Sequence, residues 1–360
     1  MFQAILPMLP GDAGGEHRVM TTKSTKSTMT AAVYRRFGAP ELVGLEQRPV
    51  PSPKPGEVLI RVHASTVSVA DHRSRARDIP AGLGMLAAVH IGLVRPSRPV
   101  LGMDAAGVIE AVGAGVTSFT PGDRVIAMMG SAFGGHAEYV SVPAGGTIAR
   151  APANLTLEEA VTLVFGGITA QGFLSKVAIR PGTTVLVNGA SGAVGTAAIQ
   201  LTKQLGADVT AVTSGRNTEL VTALGADHVI DYTREDFTGN GARFDVIVDC
   251  VGNAGFERVE ASINSGGALL LVIADLWKML RSRGQSRRTG KLVTWDGGTV
   301  GAADLAHLVS LAESGRFQPV IDRTYDLVDI VEAHRYVDTG RKRGNVVLRV
   351  TDVSRTRTRQ

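Results

Sequence analysis

Thr183-Thr184-Val185-Leu186-Val187-Asn188 runs directly into Gly189-Ala190-Ser191-Gly192-Ala193-Val194-Gly195, and from there into an apolar-periodic stretch that ends at Leu205. An apolar, β-branched run, a Gly-rich turn and apolar residues at helical spacing predict a strand, a tight loop and a helix. A lone G-x-G-x-x-G match is a weak signal, and Ala190 stands in its first glycine slot. The context is what makes it specific: a strand before, a helix after, and a further strand at Asp208 to Thr213. In that setting Gly192 lets backbone approach a pyrophosphate, and Gly195 lets the helix pack close on the strand. The helix start offers free N–H groups and a positive dipole end. Residues Gly189, Ala190, Ser191, Gly192, Ala193, Val194 and Gly195 are therefore read as a dinucleotide phosphate cradle.

Working outward, strand and helix keep alternating. Leu157 to Leu174 reads as one helix opened by Thr156 with Glu159 three residues on, a capping-box pattern. Thr218 to Leu224 and Phe256 to Ile263 read as helices. His228 to Ile230, Phe244 to Cys250, Ala268 to Ile273 and Leu292 to Trp295 read as strands. Such alternation means a parallel sheet with crossover helices. Before Pro152 the texture differs, with β-type runs (Ala32 to Tyr34, Leu42 to Gln47, Val58 to Val62, Gly107 to Val112, Val125-Ile126, Ala137 to Val142) broken by Pro and Gly. After Ala302 come a helix, a strand-like stretch at Pro319 to Thr324, a second helix at Leu327 to Val337 and a strand at Asn345 to Val350. That tail is free to return to the first, β-rich part.

The second strand of the alternating half bears on which dinucleotide binds. It ends Thr213-Ser214-Gly215-Arg216-Asn217, and the next carboxylate along the chain is Glu219, inside a predicted helix. Sites selective for NAD place Asp or Glu at this end to hold the ribose hydroxyls. Arg216 and Ser214 suit a 2′-phosphate instead. Two hydrogen bonds to a charged group, each about 1.5–3 kcal/mol, favour NADPH by about ten-fold or more.

Composition narrows the field. A chain of 360 residues with a hydrophobic fraction of 44% has room for two cores. One cysteine, Cys250, allows no intrachain disulfide and no thiolate cluster, and fits a reducing cytoplasm. The net charge of +5 is concentrated in Arg281 to Lys291, read as a basic loop, and in the tail after Arg355. Neither stretch interleaves cations with aromatics, so nucleic-acid binding is not expected. No apolar run reaches the ~20 residues of a membrane span. The nearest, Ile79 to Val94, reads as a helix or loop over a cleft, or as a lid touching apolar substrates or a membrane surface. The opening residues carry no basic n-region, and Pro7 and Pro10 interrupt their apolar run. Residues 1–30 are expected to be disordered, with Met20 or Met29 the natural start, and 353–360 to be a flexible basic tail.

Five motifs together carry a family resemblance: Leu101 to Val108 (LGMDAAGV), Val112 to Val116 (VGAGV), Pro121 to Val125 (PGDRV), Asn188 to Gly195, and Leu224 to Tyr232 (LGADHVIDY). With these the chain resembles the medium-chain dehydrogenase/reductase superfamily, more narrowly its zinc-independent quinone-oxidoreductase branch, over about residues 31–350. The resemblance implies an α/β protein in two parts. One is a GroES-like, β-rich catalytic domain, discontinuous over 31–152 and 299–352. The other is a Rossmann doubly wound parallel-sheet domain at 153–298. It also implies homodimers, often joined through the edges of the Rossmann sheets. It places Tyr232 beside the 2′-phosphate ribose together with Arg216 and Asn217, and Thr169 near the nicotinamide. Cys250, Val251 and Gly252, at the end of the strand from Phe244, are counted with the cofactor site.

Zinc-dependent relatives use a Gly-His-Glu motif and cysteines. Here that slot reads Gly102-Met103-Asp104, and a thioether beside one carboxylate is a poor zinc site. His63, His72, His90 and His136 match no metal spacing, so no metal is expected. Without one, an acceptor that is already electrophilic is the natural partner for hydride, and proximity alone contributes roughly 7–11 kcal/mol. The family's Asn-Pro-x-Asp pattern reads Ser68-Val69-Ala70-Asp71 here. Ser68 and Asp71 are the catalytic candidates, with His72 or Arg75 nearby. The expected activity is hydride transfer from NADPH to an apolar quinone or α,β-unsaturated carbonyl. The alternatives are a zinc-free alcohol, aldehyde or enoyl-thioester reductase, and a low-turnover NADPH-binding sensor or scaffold.

Overall fold

A computed structural model describes residues 27–350, apart from Asn240 and the side chains of Leu86, Ala87 and His90. The expectations for residues 1–26 and for the basic tail lie outside the described residues.

In chain order the elements are β1 (Thr28–Tyr34), β2 (Val43–Pro49), β3 (Glu57–Thr66), α1 (Val69–Ala76), α2 (Gly84–Ile91), β4 (Asp104–Val112), β5 (Arg124–Met128), β6 (Tyr139–Pro143), β7 (Thr147–Arg150), α3 (Leu157–Val161) and α4 (Phe165–Leu174). They continue with β8 (Thr184–Asn188), α5 (Ala193–Gln204), β9 (Asp208–Thr213), α6 (Thr218–Ala223), β10 (His228–Asp231), β11 (Phe244–Asp249), α7 (Phe256–Val259), β12 (Ile263–Leu271), α8 (Leu276–Thr289) and β13 (Leu292–Thr294). The chain closes with α9 (Ala302–Glu313), β14 (Ile321–Asp326), α10 (Ile330–Asp338) and β15 (Asn345–Arg349).

Two large sheets organise these elements. The Rossmann sheet has six strands in the order β10-β9-β8-β11-β12-β13, all parallel. Its central strands β8 and β11 carry continuous apolar runs because both faces are covered. Val185 and Val187 of β8 face one core with Ala197, Ala198 and Val209, while Leu186 between them faces the other with Val212, Ile247 and Leu269. The second sheet runs β14-β15-β3-β4-β5-β7, with β6 also paired to β3. The tail does return to the β-rich part, since β15 pairs antiparallel with β3, Leu348 opposite Ser65. β1 and β2 form a separate antiparallel ribbon.

Four readings change. The chain is ordered before Ala31. β1 starts at Thr28, Met29 and Thr30 are buried, and the Thr30 N–H donates to Glu138 Oε2 at 2.7 Å. Pairing with β2 overrides the Ser/Thr-rich composition. The helix expected over Leu157 to Leu174 is two helices. The Thr156–Glu159 capping box opens α3, the Thr162 hydroxyl donates to the Glu159 carbonyl at 2.7 Å, and α4 begins afresh at Phe165. The stretch Arg281 to Lys291 is not a loop, because α8 covers most of it. Asp275 caps that helix by accepting from Lys278 N, and Gly290 ends it in the left-handed conformation. β7 was not foreseen at all; its four residues are too few to show a period.

Candidate active site

β8 is the first strand of the Rossmann sheet. The chain leaves it toward β9 and β10 on one side and returns to β11 on the other, so the carboxyl ends of β8 and β11 flank a topological switch point. At the end of β8 the chain turns through Gly189, whose φ is +78°. A Cβ there would lie 2.7 Å from Val251 Cγ2, so any other residue is both strained and blocked. Ala190, in the motif's glycine slot, is fully buried and packs its methyl into the core. α5 then starts at Ala193 with Gly192 as N-cap and no side-chain cap. Its first N–H groups lack intrahelical partners by geometry and point out of the loop. Gly195 packs against the turn itself, since a Cβ there would lie 2.3 Å from the Gly189 carbonyl oxygen. Above Gly192 the space is open, with nothing nearer than Gly189 O at 3.5 Å from a Cβ position.

Neighbouring side chains hold this loop. Ser191 Oγ accepts from Thr213 Oγ1 and Asn217 Nδ2, each at 3.0 Å, which ties the loop to the end of β9. Asn217 Nδ2 also reaches Ser214 Oγ at 3.2 Å, while its buried Oδ1 has no partner among the described residues. On the other flank Asp249, fully buried at the end of β11, accepts from Asn188 Nδ2 at 2.9 Å. It also takes the N–H groups of Val251, Gly252 and Ala254 at 3.0–3.1 Å. Asp249 thus shapes the Cys250-Val251-Gly252 turn, a role sequence reading missed. Burial, with the Asp249 charge behind it, pushes the Cys250 thiol up, so it stays protonated.

The far corner differs from expectation in one respect. β10 lies parallel to β9, with Asp231 opposite Thr213, so the Asp231 carboxylate does stand beside the Ser214–Arg216 loop. A carboxylate distant in sequence thus comes to stand beside the loop. Its oxygens are taken by Thr233 and by the Gly215 N–H, which hold it below the usual carboxylate range. Arg216 and Tyr232 are exposed, the latter at 62%, and Arg216 reaches the Arg341 carbonyl at 3.4 Å.

That last contact comes from the other sheet. The segment Arg341-Lys342-Arg343-Gly344, leading into β15, lies against the loop. Gly344 bridges Gly192 in parallel, and its N–H donates to Ser191 O at 2.7 Å. Lys342 Nζ donates to Gly344 O at 2.7 Å, and burial pushes its amine down to about 8. Three cations before a glycine at a strand start were visible in sequence, but not what they face. On the other side α4 packs on α5, Gly166 sitting where a Cβ would meet Ala193 O at 2.4 Å. Thr169, half-buried on α4, donates its hydroxyl to Phe165 O at 2.7 Å.

The catalytic candidates lie deeper than a cleft wall. Ser68 caps α1, and Asp71 completes a capping box with it. Asp71 is fully buried, with Oδ2 accepting from the Ser68 N–H and hydroxyl at 2.8 and 2.6 Å and Oδ1 from Gly102 N at 2.8 Å. Arg75 does not line a cleft. It is buried and clamps both carboxylate oxygens of Asp338 of α10 with Nη2, while Nη1 donates to Gly38 O. His72 Nδ1 meets the same carboxylate at 2.6 Å. Asp104 turns inward onto Thr66, accepting from its N–H and hydroxyl at 2.7 and 2.6 Å, and burial pushes it up to about 7. Among the described residues no three His, Cys, Asp or Glu side chains are grouped to hold a metal.

The geometry fits a dinucleotide. An uncapped helix start, open space above Gly192 and an unpartnered amide oxygen on Asn217 suit a pyrophosphate and a ribose. Similarity to known proteins agrees. Residues 54–153 match the alcohol dehydrogenase GroES-like domain family, and 224–348 match a family described as zinc-binding dehydrogenase. The chain is 32% identical to 2-methylene-furan-3-one reductase of Solanum lycopersicum over 96% of its length and 86% of the relative's. It is 31% identical to mouse (Mus musculus) NAD(P)H oxidoreductase RTN4IP1, mitochondrial, over 92% of each chain. The quinone oxidoreductase from Coxiella burnetii superposes with a TM-score of 0.79 at 27% identity, over 90% of this chain and all of that one. The chain belongs to the medium-chain dehydrogenase/reductase superfamily, in its quinone-oxidoreductase-like branch. It is an oxidoreductase that works with a nicotinamide cofactor.

Proposed function

We propose that the protein reduces a quinone or an α,β-unsaturated carbonyl with NADPH, and does so without a bound metal. The observation that carries the choice of NADPH is the corner beyond β9. Arg216 and Tyr232 are exposed there, the Arg341 carbonyl lies beside the Arg216 guanidinium, and the Asp231 carboxylate next to the loop is already bonded to Thr233 and Gly215. A 2′-phosphate has the Arg216 cation to meet, whereas among the described residues the carboxylate beside the loop is already engaged. Bound in this cradle, the dihydronicotinamide supplies the hydride. The loop from Gly189 to Gly195 and Lys342 would hold the pyrophosphate, and α4, with Thr169, would wall the nicotinamide end.

The metal-free reading is supported by Met103, a thioether, and by Asp104, whose carboxylate is turned onto Thr66, a poor ligand pair for a Lewis-acid metal, and it favours an acceptor whose carbon is already electrophilic. The relatives named for a 2-methylene-furan-3-one, an enone, and for quinones act on such acceptors. We further infer that Ser68 and Asp71 act by position, holding the Gly102 turn that borders the β-rich half, and not by touching substrate. The division at residues 152 and 299, a homodimer through the exposed β13 edge, and a cytoplasmic working site belong to the same reading.

Steady-state rates with a panel of quinones, enals, simple aldehydes and enoyl thioesters test it, with NADPH and NADH compared for wild type and Arg216→Ala. The expected result is turnover on quinones or enones and an NADPH preference that falls ten-fold or more in the variant. An unchanged preference refutes the NADPH assignment, and turnover confined to aldehydes or thioesters refutes the acceptor class. Asp71→Asn is expected to lower kcat at an unchanged NADPH Kd.

A further inference from the structure

α8 carries an outward stripe for which hydride transfer has no use. At 3.6 residues per turn, Trp277, Leu280, Arg281, Gly284, Arg287 and Arg288 share one side, and buried Ser282 lies on the other. Trp277 and Leu280 are each 64% exposed. The helix holds Lys278, Arg281, Arg283, Arg287 and Arg288 and no acidic residue; the nearest carboxylates belong to its cap and to the α7 region. Lys278 is spent on Asp275 and Gly252 O. Arg281 lies over the Trp277 ring at 5.6 Å and approaches Glu257 at 3.7 Å, and Arg288 approaches Glu260 at 3.9 Å. Arg283 and Arg287 are exposed.

The start of α8 touches the turn that leads into α2: Leu276 N donates to Ala81 O at 3.0 Å. From α2 and the residues after it, Met85, Val89, Leu93 and Val94 are 65–86% exposed, and Arg95 and Arg98 follow, also exposed. Single exposed apolar residues are ordinary. Six on two adjoining elements, fringed by arginines, mark a surface that something covers.

The chemistry selects the occupant. A Trp ring settles at the headgroup level of a bilayer, Leu, Val and Met reach the acyl boundary, and arginines meet anionic headgroups. An acidic protein or a nucleic acid would satisfy the arginines and leave Met85, Val89 and Leu93 in water. A second copy related by a two-fold would bring the cations of α8 against themselves. We propose that α2 and α8 form a docking face for an anionic lipid bilayer, on which the protein lies without spanning it. Among the described residues no helix is long and apolar enough to cross one. This inference stands independently of the acceptor class proposed above.

The test is co-sedimentation of the full chain with vesicles of phosphatidylcholine alone, or of phosphatidylcholine and phosphatidylglycerol in equal parts. A Trp295→Phe background lets fluorescence report Trp277. The expected result is binding to the anionic vesicles only, weakened ten-fold or more by high salt, with a blue shift of Trp277 emission. Trp277→Ser with Leu280→Ser, and separately Arg283→Glu with Arg287→Glu, are each expected to weaken binding at least ten-fold. Turnover on a water-soluble quinone should stay at the wild-type rate. Absence of binding to anionic vesicles overturns the proposal. So does binding that both double variants retain, or a sedimentation-velocity shift from dimer to monomer in Trp277→Ser/Leu280→Ser without vesicle binding, which assigns the face to a second copy. Vesicle binding by a protein that turns over no acceptor leaves this inference standing and removes the preceding one.

Discussion

Gly192 and Gly195 lie three residues apart in one motif, yet the structure assigns them opposite sensitivities. A methyl at Gly195 would sit 2.3 Å from Gly189 O and 2.7 Å from Ala190 Cα, both backbone atoms. Relief needs a shift of about 1 Å between helix and turn, and overpacking of that kind costs about 1–3 kcal/mol. A methyl at Gly192 meets only Gly189 O at 3.5 Å, an ordinary contact, and the residue's φ of −80° suits alanine. There the gain of about 0.4–1 kcal/mol through the unfolded chain is offset by the preference of an N-cap for glycine over alanine, so stability is expected to stay near the wild-type value. That same methyl fills the space through which a pyrophosphate reaches the α5 N–H groups. Each charged hydrogen bond lost there is about 1.5–3 kcal/mol, so affinity should fall ten-fold or more. Thermal melts and NADPH fluorescence titrations of both variants separate the effects. Gly195→Ala should melt several degrees lower and bind weakly. Gly192→Ala should melt close to wild type and bind weakly. Native affinity in Gly192→Ala refutes the phosphate cradle, and a native melting temperature in Gly195→Ala refutes the close-packing argument.

Four further outcomes are expected. His334 is fully buried and held neutral, its proton affinity driven well below the usual value by burial and then by His136, Arg75 and His72. Its folded pKa is depressed, so its stability contribution is complete above the unfolded value of about 6.5 and is lost as pH falls below it, by up to about 1.4 kcal/mol per pH unit. Asp104, pushed up to about 7, opposes this by favouring lower pH, so the readout is the difference in denaturation midpoints between wild type and His334→Phe from pH 7 to 5; equal slopes would dismiss the argument. Asp338→Ala strips the buried Arg75 guanidinium of its partner and should cost about 3 kcal/mol in urea unfolding, whereas a loss under about 1 kcal/mol would mean that water replaces the carboxylate. Lys342, with its amine near 8, should make the NADPH KM rise as pH climbs through that value, and Lys342→Gln should flatten the profile. Exhaustive chelation should leave quinone turnover unchanged, and loss restored by zinc would defeat the metal-free reading.

The parts of the fold with a period were legible. β8, α5 and β9 were readable because a strand buried on both faces is a continuous apolar run and a helix on a sheet repeats every three to four residues. α8 was not, because its outward face mixes Trp277, Leu280 and arginines around Gly284, and its buried face uses Ser282 and Ser286 where a core helix would use Leu. The start of β1, Thr28 to Thr30, reads as an extension of the polar stretch before it, and only its pairing with β2 reveals it as strand. In the site, the loop glycines could be named because their constraint is local. Asp231, Asp249 and Lys342 act across strands or between sheets, and nothing in chain order marks such neighbours. Asp71 was found by motif, but a carboxylate turned inward to serve Gly102 has the same spelling as one aimed at substrate.

The Gly192–Gly344 bridge and the Gly344 N–H on Ser191 O join the mouth of the cradle to the root of β15, and so to the sheet that holds β3 and β4. The two halves also meet where α9 packs on β7 and α3 on β3 and β4, so the phosphate loop is tied to that sheet by backbone at one point and by helix packing at others. A substitution that displaces the root of β15 is therefore expected to be felt at the phosphate loop itself.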